Sequence, residues 1–132
     1  SLYKWGLFDR PPMQSWGQGK VSLLGDACHP TLPFMAQGAA MAIEDAAVLT
    51  NTLGSADSVE SALQRYEALR KARAGGVQRG SRRNASVFHL SGIKAWLRDR
   101  AAARAGGRTM DKLYRYDPLS VGLSDRKKAV LK

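Results

Sequence analysis

Asp26 closes a short apolar run, Val21-Ser22-Leu23-Leu24-Gly25, and its placement is the first in the chain to suggest chemistry. A carboxylate delivered at the carboxyl end of a buried strand sits where open α/β sheets bind ligands, and it can accept hydrogen bonds from a sugar or other polyol hydroxyl. Eleven to fourteen residues later, Gln37-Gly38-Ala39-Ala40 opens a helix with the smallest side chains available. A flat ligand can approach the unpaired N–H groups of such a helix start. The partial positive charge there suits an anion, or a ring that becomes anionic during a reaction.

Other chemistry-bearing residues lie close by. Cys28 and His29 stand beside Asp26, but three near neighbours on an extended segment point to different sides. No further Cys or nearby His completes a tetrahedron, so no metal site is expected. Adjacent residues also rarely orient an imidazole onto a thiol, so Cys28 reads as a small buried residue and His29 as a hydrogen-bonded structural one. Glu44 and Asp45 are consecutive on the predicted helix and point about 100° apart, which favours capping or surface roles over a catalytic carboxylate pair.

The elements that must position these residues follow from punctuation and periodicity. Trp5 to Phe8 predicts a short strand, ended by Asp9-Arg10-Pro11-Pro12. Gly17-Gln18-Gly19-Lys20 predicts a turn, and Val21 to Gly25 a strand buried on both faces. Pro30 and Pro33 make Ala27 to Phe34 an extended loop. From Gly38 to Leu53 a helix presents Ala39, Ala42, Ile43, Ala46, Leu49 and Leu53 on one face, with Gly54 closing it. Asp57, with Glu60 three residues on, resembles a capping box for a second helix lined by Val59, Leu63, Tyr66 and Leu69, which Gly75-Gly76 should break or kink. Val77 to Leu90 and Ile93 to Arg104 read as further helix, ended by Gly106-Gly107. Pro118 to Lys132 reads as frayed. Tyr66, Trp96 and Tyr114 fall at helical spacings as core or interface anchors, and His89 is expected to pack.

The chain has 132 residues, room for one small domain, and is 44% hydrophobic with one cysteine. Wholesale disorder and a disulfide scaffold are thereby excluded, no run reaches the ~18 apolar residues of a membrane span, and the default is a reduced, cytoplasmic chain. The formal charge of +10 is unevenly spread. Residues 1–59 hold 3 basic and 5 acidic groups, residues 60–108 hold 12 and 3, and residues 109–132 hold 6 and 3. The basic middle could serve a small helical module binding nucleic acid or an acidic partner. Its arginines nevertheless fall around helical turns with no nucleic-acid motif, so a solvated face is favoured.

The Gly25-Asp26 pair, the His29-Pro30 step, Pro33, and the Gln37-Gly38 entry to Met41-Ala42-Ile43-Glu44-Asp45-Ala46 together resemble a flavin motif. It is the second flavin motif of FAD-dependent aromatic hydroxylases, single-component monooxygenases such as salicylate and hydroxybenzoate hydroxylases. Looser similarity runs from about Lys4-Trp5 to Asp117 and includes Tyr66-Glu67, Val77-Gln78, Ser81-Arg82 and Leu113-Tyr114.

The resemblance implies an α/β fold: the C-terminal portion of a Rossmann-like FAD-binding domain, a buried strand plus following helices, mostly helical in this stretch. Residues 1–55 would end the substrate sheet and carry the flavin-binding strand, loop and helix. Residues 56–117 would form a C-terminal helical region and 118–132 a flexible tail. Gly25 and Asp26 would hold the FAD ribitol, and Gly38 with the amides of Ala39 and Ala40 would face the N1/O2 edge of the ring. Pro33, Phe34 and Gln37 would border the substrate.

The same resemblance implies NAD(P)H as reductant, O2 and an aromatic acid as substrates, a C4a-hydroperoxide as oxygen donor, and a homodimer for the complete enzyme. Phe34 stands where some pyridine-acid hydroxylating relatives place a His, which leans toward a benzenoid acid. The family's Gly-x-Gly-x-x-Gly turn has no counterpart, since Gly17-Gln18-Gly19 precedes a strand instead of following one. The chain is therefore expected to be the C-terminal third of an enzyme, inactive alone.

Overall fold

The structure is a computed structural model that describes residues 1–105 and 113–121. Three helices carry it: α1 (Gly38–Leu53), α2 (Val59–Phe88) and α3 (Gly92–Ala105). A minimal antiparallel hairpin precedes them, β1 (Gly17–Gln18) and β2 (Val21–Ser22), with Gly17 opposite Ser22 and Gln18 opposite Val21. Gly19, at φ +57°, makes its turn. Short 3-10 turns at Gly25–Ala27 and Pro33–Met35 flank the proline-containing loop. The mostly helical, partial α/β character anticipated from sequence is what the chain adopts.

The core forms where α1 packs along α2, with the segment from Trp16 to His29 laid over the seam. Trp16, Cys28, Met41, Val48, Tyr66, Ala74 and Val77 are buried together. The Trp16 ring lies 5.3 Å from that of His29 and 5.7 Å from that of Tyr66, both tilted, as aromatic quadrupoles prefer. Leu113 and Val121 of the downstream segment pack on the same cluster. Asn51 holds that segment by donating to the carbonyls of Leu119 and Val121 at 3.2 and 3.3 Å.

Several local expectations are corrected. Residues Trp5 to Phe8 form no strand, because no other strand among the described residues lies beside them, and both aromatics stay exposed. Val21 is 71% exposed and its strand is two residues long, paired on one edge only; the run is not a buried strand in this chain. Helix α1 has the expected bounds but the opposite face inward. It buries Met41, Glu44, Asp45, Val48 and Thr52, leaving Ile43 69% exposed.

Ser58, not Asp57, caps α2, its hydroxyl accepting from the Ser61 amide at 3.2 Å. Helix α2 then runs unbroken for 30 residues through Gly75-Gly76. Trp96, Tyr114 and His89 are exposed, so only Tyr66 of the expected anchors is a core residue. Arg98 of α3 donates to the carbonyls of Val87 and Phe88 and closes the end of α2. Gly106-Gly107 lies outside the described residues, as does residue 122 onward of the tail. No helix among the described residues is long and apolar enough to cross a membrane.

Candidate functional site

The site is built on one glycine. Gly25 adopts φ +59°, a conformation that a side chain would strain, and its carbonyl accepts from the Cys28 and His29 amides, both at 3.0 Å. The Cys28 thiol donates to the same carbonyl at 3.3 Å. The resulting tight turn buries Gly25, Cys28 and His29 and leaves Asp26 exposed at its apex. No other described side chain or amide engages the Asp26 carboxylate. The turn docks on the second turn of α1, where a Cβ on Gly25 would stand 3.5 Å from the Ala42 methyl.

What holds the turn is Asp45, which is completely buried. Its Oδ2 accepts from the Gly25 amide at 3.0 Å and lies 2.6 Å from Nε2 of His29, while its Oδ1 accepts from Nε of Arg70 at 2.7 Å. Burial alone would raise the Asp45 carboxyl, but the hydrogen bonds from His29, Arg70 and the Gly25 amide outweigh it and hold it below its ordinary value. Arg70 is equally buried. It donates to the Met41 carbonyl and lies 2.7 Å from Glu44 Oε2, and Arg73 pairs with Glu44 Oε1 at 2.8 Å. Both guanidiniums stack on Tyr116, at 5.3 and 4.8 Å from its centroid.

Glu44 and Asp45 are therefore neither caps nor surface groups, and the apolar period on α1 misjudged its inner face because that face is ionic. A legible signal existed: an acidic pair on one helix matched by Arg70 and Arg73, three apart, on the next.

Cys28 and His29 do converge with a carboxylate, but it is Asp45, not Asp26. Their ligand atoms lie within 4.8 Å of one another. Both Asp45 oxygens are engaged by hydrogen-bond partners, and Arg70 supplies the positive charge a cation would bring. Burial, chiefly, pushes the Cys28 thiol up to about 12, with the Asp45 charge adding to it, so Cys28 is a poor nucleophile.

The loop from Pro30 to Phe34 is pinned to α2 by three side chains at three-residue intervals. Gln78 donates to the Pro30 carbonyl at 3.1 Å, Ser81 to the Leu32 carbonyl, and Asn84 to the Phe34 carbonyl at 3.2 Å. Alternate carbonyls thus face the helix. The Pro33 carbonyl accepts the Ala36 amide at 3.0 Å, and Ala36 itself is left-handed at φ 51°. Gln37 is buried as the residue before α1, Pro33 and Ala39 are exposed, and Gly38 and Ala40 are half-buried. The half-buried Phe34 ring meets Phe88 and His89 edge-on at 6.0 and 5.9 Å. The first amides of α1, at Gly38, Ala39 and Ala40, have no acceptor within the helix.

A family model described as an FAD binding domain matches residues 5–81. The chain belongs to the FAD binding domain family. A 3-amino-4-hydroxybenzoate 2-monooxygenase of Streptomyces platensis is 47% identical over 105 residues, covering 78% of this chain and 26% of that protein. A 6-hydroxynicotinate 3-monooxygenase of Pseudomonas fluorescens is 53% identical over 83 residues, 61% of this chain and 22% of that protein. A solved salicylate hydroxylase substrate complex superposes with a TM-score of 0.67 at 29% identity, over 86% of this chain and 29% of that one. The chain spans about a quarter of the length of the curated relatives it matches. The resemblance read from Gly25 to Ala46 is thereby confirmed.

The residues present fit FAD. An exposed carboxylate with no partner among the described residues suits polyol hydroxyls. A helix start of Gly and two Ala offers amide donors with nothing bulkier than a methyl in the way.

The basic stretch fits a nucleic-acid surface less well. Arg70, Lys71, Arg73, Arg82 and Arg98 are all in ion pairs, with Asp45, Glu67, Glu44, Asp9 and Asp99 respectively.

Proposed function

We propose that this chain is the flavin-edge portion of an FAD-dependent, NAD(P)H-using monooxygenase that hydroxylates an aromatic acid. The observation that carries the reading is the Gly25-Asp26 turn: a carboxylate with no partner among the described residues, at the apex of a turn that the Gly25 amide and His29 Nε2 tie to Asp45 of α1. Asp26 and Gly25 would hold the ribitol of FAD, and Gly38, Ala39 and Ala40 the pyrimidine edge of its ring. When bound, the flavin supplies the redox and oxygen-transfer chemistry, with NAD(P)H and O2 as co-substrates.

The chain's own part is positional and electrostatic. The amides at the start of α1 stabilise negative charge on whatever ring edge faces them. Pro33, Phe34 and Gln37 border the substrate, on a loop whose carbonyls the α2 side chains hold in place. The hydroxybenzoate monooxygenase among the relatives supports an aromatic acid, and Phe34 favours a benzenoid one. The reading includes residues 1–55 as the end of the substrate sheet and the flavin-binding strand, loop and helix, 56–117 as the helical C-terminal region, and 118–132 as a tail. It also includes a cytoplasmic location and a homodimer for the complete enzyme, with the chain inactive by itself.

The test is FAD affinity of the complete flavoprotein that carries this chain, by fluorescence titration of the apoprotein. Asp26→Ala should weaken FAD binding at least about tenfold, the loss expected of a charged hydrogen-bond acceptor, while the fold is retained. A folded Asp26→Ala variant with unchanged FAD affinity would overturn the reading.

A further inference from the structure

We propose that Arg70 is a positioning residue for the flavin: acting through Asp45, and held by the ring of Tyr116, it fixes the Gly25-Asp26 turn that presents the ribitol acceptor. The inference rests on the reading above and adds residues that touch no ligand. Arg70 and Tyr116 lie 44 and 90 residues downstream of Asp26, on α2 and on the segment after α3.

The chain of contacts is continuous. Arg70 Nε binds Asp45 Oδ1 at 2.7 Å, and Asp45 Oδ2 receives the Gly25 amide at 3.0 Å. Gly25 is the residue whose positive φ turns Asp26 outward. A carboxylate has rotational freedom about its Cβ–Cγ bond, and Asp45 must aim one oxygen at Gly25 and the other at α2. The Arg70 guanidinium restricts that freedom, because its Nη2 donates to the Met41 carbonyl at 3.3 Å and its Nη1 is ion-paired with Glu44 Oε2 at 2.7 Å. Tyr116 covers the guanidinium face, and Arg73, stacked on the same ring, donates to the Leu113 carbonyl at 3.1 Å. The segment around Tyr116 thus latches a network whose far end is the flavin contact. His29 supports Asp45 from the opposite side, on the turn itself. Second-layer groups of this kind commonly set the orientation of the residue that touches the ligand, and their loss is felt at the ligand.

The experiment is a double-mutant cycle in the complete flavoprotein, reading FAD dissociation constants, with thermal unfolding of the apoprotein alongside. Arg70→Lys keeps the charge but cannot span Asp45, Met41 and Glu44 together. It should weaken FAD binding about tenfold, and in an Asp26→Ala background it should cost almost nothing further. A residue that merely stabilises the fold gives additive losses in both backgrounds, and additivity would overturn the proposal.

If Arg70→Lys fails to fold, Tyr116→Leu replaces it in the same cycle. That variant removes the ring over both guanidiniums from a half-buried site and should lose about threefold, again only when Asp26 is present. Should Asp26→Ala leave FAD affinity unchanged, the proposed function falls and this inference with it. Should Asp26→Ala weaken binding while neither Arg70→Lys nor Tyr116→Leu does, the positioning role alone is wrong.

Discussion

Asp45 shows at the scale of single residues how a buried ion can direct a fold. Its two oxygens join α1 to two other parts of the chain, the Gly25 turn through the Gly25 amide and His29, and α2 through Arg70, in surroundings that exclude water. Removing one partner of such a pair leaves the other buried and uncompensated, which costs about 3–5 kcal/mol. The carboxyl is held below its ordinary value of 3.8 in the folded chain, so the stability it contributes is fully present above about pH 4. That stability is lost as pH falls through the lower, folded value. Asp45→Asn should therefore lower stability at neutral pH and flatten the acid limb of the stability curve, measured by urea unfolding between pH 3 and 7. An acid limb unchanged in slope would show that Asp45 is not the group responsible.

Residue types and spacing made Asp26, Gly25 and the small-residue helix start legible, because they are local and consecutive. The partnership of Asp45 with Arg70 was only hinted at by the matched acidic and basic pairs, because residues 25 apart on two helices meet only once those helices pack, and apolar periodicity counts a buried carboxylate as a surface one.

Among the elements, α1 was legible in its bounds and misread in its face. Gly38 and Gly54 punctuate it as expected, yet Glu44 and Asp45 turn inward because α2 meets them with arginines. The Gly75-Gly76 pair, read as a break, lies inside α2, where packing against α1 and the loop overrides the weak local propensity. Gly76 is exposed, helical, and has open space where a Cβ would stand. Gly76→Ala should consequently stabilise the protein by about 0.5–1 kcal/mol in chemical denaturation, and a loss of stability there would contradict an unbroken helix at that position. The three polar side chains of α2 at 78, 81 and 84 are a further element-scale device. Their three-residue spacing matches alternate carbonyls of an extended loop, which neither helix nor loop patterns reveal alone.

Taken whole, the molecule is a helical pair that presents a polar turn and a helix start on one side. Considerable apolar surface stays uncovered, including Trp5, Phe8, Val21 and Ile43. Strands were the least legible part, since Trp5 to Phe8 carry the composition of a sheet strand with no strand partner among the described residues, and Val21 to Gly25 pair only at Val21 and Ser22, in a two-residue hairpin. The net charge of +10 overstates the free basic surface of the middle stretch, because five of its twelve basic residues, Arg70, Lys71, Arg73, Arg82 and Arg98, are engaged in ion pairs within the fold.

The central claim is that Asp26 and the first amides of α1 grip one flavin between them. The most direct measurement is a crystal structure of the FAD-loaded protein. The account predicts the Asp26 carboxylate within hydrogen-bond distance, about 2.6–3.0 Å, of a ribitol hydroxyl, with the Ala39 and Ala40 amides facing the pyrimidine edge of the ring. A flavin seated elsewhere, with Asp26 open to solvent, would contradict it.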